Sequence, residues 1–93
     1  MSDPAHLARP QLVAFARYRW DRIREQHQIV YPEGVLVLNP TGAEIVKRMD
    51  GRDLDALVND LETTFQGTGI KPDVLEFLEG LYNHGLLKRD HTT

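Results

Sequence analysis

The sequence predicts an α+β domain, a three-stranded antiparallel sheet followed by three helices in a winged helix-turn-helix-like arrangement. Three observations carry this reading: alternation of apolar and charged residues early in the chain, a switch to helical punctuation at Asn39-Pro40, and apolar residues at helical spacing thereafter. With 93 residues and no Cys, the chain must hold together through one modest hydrophobic core without disulfide or zinc staples. A single domain is therefore expected over residues 14–88, preceded by a flexible arm at 1–13 and followed by a frayed tail at 89–93.

The fold begins near Ala14, and Tyr18 and Trp20 alternate with Arg17 and Arg19 to give a first strand with one apolar and one charged face, which ends around Trp20. The polar stretch Asp21 to Gln26 suits a hairpin connection. His27-Gln28-Ile29-Val30-Tyr31 supplies β-branched and aromatic residues for a second strand, which Pro32-Glu33-Gly34 stops. Val35-Leu36-Val37-Leu38 follows as a third strand, and the short connections favour an antiparallel meander over parallel pairing.

Asn39 then offers an N-cap and Pro40 a pre-organised first helical residue, with Ile45, Val46 and Met49 on one face of a helix ending at Asp50-Gly51. Asp53 caps a second helix whose Leu54, Leu57, Val58, Leu61 and Phe65 share a face. After Gln66-Gly67-Thr68-Gly69, a third helix runs from Lys71-Pro72-Asp73 to Asn83-His84-Gly85, where Gly85 suits a left-handed cap and Leu86-Leu87 fold back onto the helix.

Catalysis needs a nucleophile, a tuned acid-base pair, a metal or a cofactor loop. Ser2, in the arm, is the single serine, the histidines are scattered at 6, 27, 84 and 91, and Gly67-Thr68-Gly69 lacks the spacing and following Lys of a phosphate-binding loop. The expectation is a protein that is not an enzyme and has neither cofactor nor metal. The N-terminus has no apolar signal core and no apolar run spans a membrane, so a cytoplasmic location is expected.

The net charge of −3 is unevenly placed, with Arg9, Arg17, Arg19, Arg22 and Arg24 early and a mostly acidic stretch from Asp50 to Glu79. A DNA-binding winged helix would read with the third helix, but Asp73, Glu76 and Glu79 there repel phosphates. Binding of another polypeptide remains. The third strand is apolar at consecutive positions and, as a meander edge, has no Lys or internal Pro to discourage pairing. In one reading the helices cover one of its faces and the arm the other; in the second its edge stays open to an added strand.

The apolar face of the third helix spans roughly 160°, against roughly 100° for the second. That width fits either a central packed helix or a groove between helix three and strand three. A self-associating structural domain, which pairs the same edge with its own copy or swaps a hairpin, is a further alternative, so the chain is expected as a monomer or a homodimer.

Arg17-Tyr18-Arg19-Trp20-Asp21-Arg22-Ile23-Arg24, Tyr31-Pro32-Glu33-Gly34-Val35-Leu36-Val37-Leu38-Asn39, Thr41-Gly42-Ala43-Glu44-Ile45, Asp73-Val74-Leu75-Glu76-Phe77-Leu78 and Gly85-Leu86-Leu87 together resemble the PqqD family. The resemblance runs from about Arg9 to Leu87. It implies a peptide chaperone of pyrroloquinoline quinone biosynthesis, similar to the recognition elements of ribosomal-peptide modifying enzymes. In that family the precursor peptide PqqA docks around the third strand and third helix, and the radical SAM enzyme PqqE accepts the complex and performs the chemistry. Carried over by position, Val35, Leu36, Val37 and Leu38 would offer the pairing strand, and Leu75, Leu78, Leu81 and Tyr82 the groove walls. Arg17, Arg19, Arg22 and Arg24, with Asp21, match the family's charged first hairpin, which serves either partner docking or solubility. Two departures stand out: Val13-Ala14-Phe15-Ala16 replaces a Pro-Gly turn before the first strand, and residues 67–71 before the third helix are Gly-rich.

Overall fold

The computed structural model describes residues 4–88. Its sheet has three strands, β1 (Arg17–Asp21), β2 (Gln26–Tyr31) and β3 (Gly34–Leu38), in the order β1-β2-β3 and antiparallel throughout. Three helices follow, α1 (Pro40–Lys47), α2 (Leu54–Phe65) and α3 (Lys71–Asn83). The architecture is the expected one.

Local chemistry accounts for the boundaries. Asn39 Oδ1 accepts from the Gly42 N–H at 2.6 Å and Pro40 opens α1, so β3 passes into a helix across a single capping residue. Asp53 Oδ1 accepts from the Ala56 N–H at 2.7 Å to start α2. At the end of α3, Gly85 takes φ +75°, the Leu86 N–H donates to the Leu81 carbonyl at 3.0 Å and the Gly85 N–H to the Tyr82 carbonyl at 2.9 Å. That is a Schellman closure, and it turns Leu86 and Leu87 back into the core, where both are buried. Residues 13–16 form a turn, with the Ala16 N–H donating to the Val13 carbonyl, and β1 begins at Arg17, where the alternation begins. One boundary differs from expectation. α1 stops at Lys47, because Arg48 and Met49 already bond one residue short of the α-helical partner, to Ile45 and Val46.

The helices cover one face of the sheet. Ile29 and Leu38 on that face are buried, together with Ala43, Ile45 and Val46 of α1, Leu57 and Leu61 of α2, and Val74, Leu78 and Leu81 of α3. Strand alternation sends Val35 and Val37 to the opposite face, where they are 46% and 54% exposed. The arm does not cover that face.

Over residues 4–13 the arm packs against the rest of the domain. Ala5–Leu7 form a 3₁₀ turn, and Leu7 and Pro10 are buried. The Leu54 N–H donates to the Ala8 carbonyl, the Val13 N–H to Leu86 and the Lys88 N–H to Gln11. Gln11 and Leu12 form bridges with Asp50 and Leu87. His6 Nε2 lies 2.9 Å from Glu79 Oε2 and its ring 4.4 Å from that of Tyr82. These backbone bonds to the far end of the chain have no local period and leave no sequence pattern. Residues 1–3 of the arm and the tail at 89–93 lie outside the described residues.

Truncating Leu7 to Ala should therefore destabilise the domain by about 2–5 kcal/mol, the range for a buried Leu, read as a lowered urea midpoint; a loss below about 0.5 kcal/mol, the surface value, would contradict the packed arm. A second expectation concerns Asp50, whose carboxyl the Arg52 side chain and N–H hold down at about 2 from an ordinary 3.8. The stability from this contact is present above the ordinary value and lost as pH falls toward 2. In Arg52→Ala, an NMR titration of Asp50 should return toward 3.8; an unmoved midpoint would remove Arg52 as the cause.

Candidate functional site

Beside β3 lies an open groove of about 590 Å³, walled by β3 and the start of α1 on one side and by α3 on the other. Leu36, Leu38, Ile45, Leu61, Phe65, Ile70, Phe77 and Leu81 make its surface largely apolar, and Asp73, Glu76 and His84 stand along its α3 side. The β3 edge forms its lip.

Which backbone groups that edge offers follows from the register. The two-residue loop Pro32-Glu33 closes on Tyr31↔Gly34, and such a loop closes on a hydrogen-bonded pair. Hydrogen-bonded pairs then recur at Ile29↔Leu36 and His27↔Leu38. Val35 and Val37 therefore direct their N–H and C=O away from β2, toward the free edge. The same register runs through β1, where Arg17, Arg19 and Asp21 face Val30, Gln28 and Gln26.

Of the residues expected at a peptide site, Val35 and Val37 are exposed on the edge strand, Leu36 is half-buried against the groove and Leu38 is buried at its base. On α3, Leu81 lines the groove, but Leu75, Leu78 and Tyr82 do not. Leu78 is fully buried in the core, and the Tyr82 ring packs at a tilt against that of His6 in the arm. In their place stand Asp73, Glu76, Phe77, Gly80 and His84. These positions fall at i, i+3, i+4, i+7 and i+11, one continuous stripe. The mixed polarity of that stripe hid it from a search for apolar walls; the available signal was Gly80, a helix-interior glycine on the open side.

α1 and α3 meet closely at Gly42. A Cβ built there would stand 2.8 Å from Phe77 Cε1 and 3.2 Å from Asn39 Oδ1, so only glycine lets the Phe77 ring occupy its present place in the groove wall.

The hairpin from β1 to β2 is built around Asp21. Its buried carboxylate accepts from the N–H groups of Ile23 and Arg24 at 3.0 and 3.1 Å, from the Arg24 guanidinium at 3.2 Å and from Gln28 Nε2 at 3.2 Å, with Arg19 at 3.6 Å. The Arg24 N–H, foremost, holds this carboxyl below its ordinary value against the opposing effect of burial. Arg17, Arg19, Arg22 and Arg24 are all exposed, and Ile23 at the turn is 92% exposed.

A family model described as coenzyme PQQ synthesis protein D (PqqD) matches residues 26–87. The chain belongs to the PqqD family. The matched span holds both walls of the groove, β3 and α3, and leaves out β1. A curated relative from Methylococcus capsulatus, named PqqA binding protein, is 37% identical over 79 residues, covering 84% of this chain and 85% of its own length. One of the same name from Azotobacter vinelandii is 42% identical over 72 residues, covering 75% and 78%. Among solved structures, the PqqD truncation of Methylobacterium extorquens PqqCD matches with a TM-score of 0.74 and 29% identity, over 86% of this chain and 88% of that one. That structure is described as a functional, stand-alone recognition element for ribosomally synthesised and post-translationally modified peptides.

The PqqD fold thus sets its groove wall on the Gly42 contact, and Gly42→Ala should push the Phe77 ring into the groove. Because alanine also favours the helix, the stability change should stay within about 2 kcal/mol. Aromatic NMR resonances of Phe77 should shift while the urea midpoint moves little; unmoved Phe77 resonances would contradict the close packing.

Proposed function

We propose that this chain is a non-catalytic peptide chaperone that binds the precursor peptide PqqA by strand addition at β3 and presents it to the radical SAM enzyme PqqE in pyrroloquinoline quinone biosynthesis. The observation that carries the reading is the unpaired β3 edge lying along an apolar groove. An extended peptide there bonds to the outward N–H and C=O groups of Val35 and Val37, and alternate side chains enter the groove against Leu36, Phe77 and Leu81. Each main-chain bond contributes roughly 0.5–1.5 kcal/mol net, so groove contacts supply much of the affinity and the selectivity. The PqqA binding proteins among its relatives and the recognition element with the same fold support the assignment. Chemistry on the peptide then falls to the enzyme, and a cytoplasmic location follows from that role.

Adding unlabelled PqqA to isotope-labelled domain should shift amide resonances of Val35 to Leu38 and of the α3 stripe from Asp73 to His84. Val37→Pro removes one outward N–H while leaving the β2 side of the ladder intact, and should weaken PqqA binding by roughly tenfold. Shifts confined to residues 17–26 would move the site to the hairpin, and the absence of any shift at high micromolar peptide would remove this function.

A further inference from the structure

The sheet has a second surface, on the side away from the helices and the groove. Alternation along the strands and the pairing register place three rows of side chains there: Arg17, Val30 and Val35; Arg19, Gln28 and Val37; and, at the hairpin end, Asp21 and Gln26. Val35 and Val37 are about half exposed, and nothing among the described residues covers them. Arg17 makes no ion pair among the described residues, while Arg19 and Arg24 share the one carboxylate of Asp21. This face is therefore apolar at the β3 side and cationic at the β1 side, in a chain whose net charge is −3. At its centre Gln28 is only 3% exposed; its Nε2 donates to Asp21 and Gln26, while its Oε1 is buried without a partner. The four hairpin arginines are thus not one patch: Arg17 and Arg19 belong to the outer face, and Arg22 and Arg24 to the turn.

We propose that this outer face docks a folded protein, one that sets carboxylates against Arg17 and Arg19 and apolar side chains over Val30, Val35 and Val37. The proposal rests on the strand-addition reading for its second part. A peptide strand added to β3 lies about 4.8 Å beyond it, and every second side chain of that peptide emerges on this same outer face. The docked protein then touches a sheet widened by the peptide, and binds the loaded domain more tightly than the empty one. Linkage makes the effect reciprocal, so the partner tightens the peptide by the same factor. A protein occupant fits better than the alternatives. The valines offer phosphates no donors and stand between the arginines and the β3 edge, and they lie flush on a pleated surface; the exposed Ile23 belongs to the turn and not to this face.

PqqE and PqqA serve as probes. The affinity of PqqE for the domain is measured by anisotropy with and without saturating PqqA, for the wild-type chain, Arg17→Glu and Val35→Thr. Arg17 is exposed and two strands, about 10 Å, from the β3 edge, so Arg17→Glu should leave PqqA affinity within about twofold at physiological salt. It should weaken PqqE about tenfold, whether PqqA is present or not. Val35→Thr keeps a β-branched residue on the strand and should weaken PqqE severalfold. In the wild type, PqqA should raise PqqE affinity at least about fivefold. Equal PqqE affinity for wild type and Arg17→Glu would overturn the docking face, and equal affinity with and without PqqA would overturn the coupling. Failure of PqqA to bind the wild type would instead overturn strand addition, and the docking face would then be judged from the peptide-free comparison. Binding of the wild type, but not Arg17→Glu, to anionic lipid vesicles without affinity for PqqE would assign the face to a membrane and overturn the proposal.

Discussion

The Asn39 cap is the joint on which the groove depends. β3 ends at Leu38, Asn39 Oδ1 takes the Gly42 N–H at 2.6 Å, and α1 begins at once. With so short a connection α1 cannot swing outward to shield the β3 edge; it must fold over the inner face of the sheet, where Ala43, Ile45 and Val46 are buried. α3 then meets α1 at Gly42, close enough that a methyl group there would contact Phe77. The result is a helix held beside an edge strand but not against it, with an apolar trough between them. Edge strands in stable proteins are commonly blunted by charge or proline within the strand. Here the charges stand on β1 and the prolines outside β3, so the exposed edge fits use rather than neglect.

Much of this arrangement was legible in the sequence because it rests on local chemistry. The Asn39-Pro40 and Asp53 helix starts, the Gly85 stop and the run Val35 to Leu38 each leave a signature within a few residues, and all are found in the structure. The breadth of apolar surface on the third helix left a groove beside strand three open as one of two readings. What stayed hidden depends on distant parts of the chain. The arm is held by bonds from Ala8 to Leu54, Gln11 to Lys88 and Val13 to Leu86, which no periodicity announces.

The packed arm also accounts for where the other α3 side chains lie. One edge of the apolar surface of α3 meets the arm, where the Tyr82 ring is tilted against that of His6 and Glu79 bonds to the same imidazole, and Leu78 is taken up by the core. Only the stripe from Asp73 to His84 is left to the groove. An amphipathic pattern reports how much of a helix is covered, not what covers each sector, so three burial environments merged into one wide face.

The two exposed surfaces differ in sign as well as in shape. The α3 side of the groove carries Asp73 and Glu76, whereas the outer sheet face carries Arg17 and Arg19 on the far side of β2 from the groove. A ligand drawn to one is electrostatically discouraged from the other, so on the proposed reading two partners would not compete. β3 is the element common to both: Leu36 and Leu38 serve the groove, Val35 and Val37 the outer face, and the period of two in a strand makes that division unavoidable. Any peptide that joins β3 inherits the same division, since its own residues must alternate between trough and outer face. A peptide added there would therefore be buried on one side and displayed on the other, the geometry that the proposed function requires.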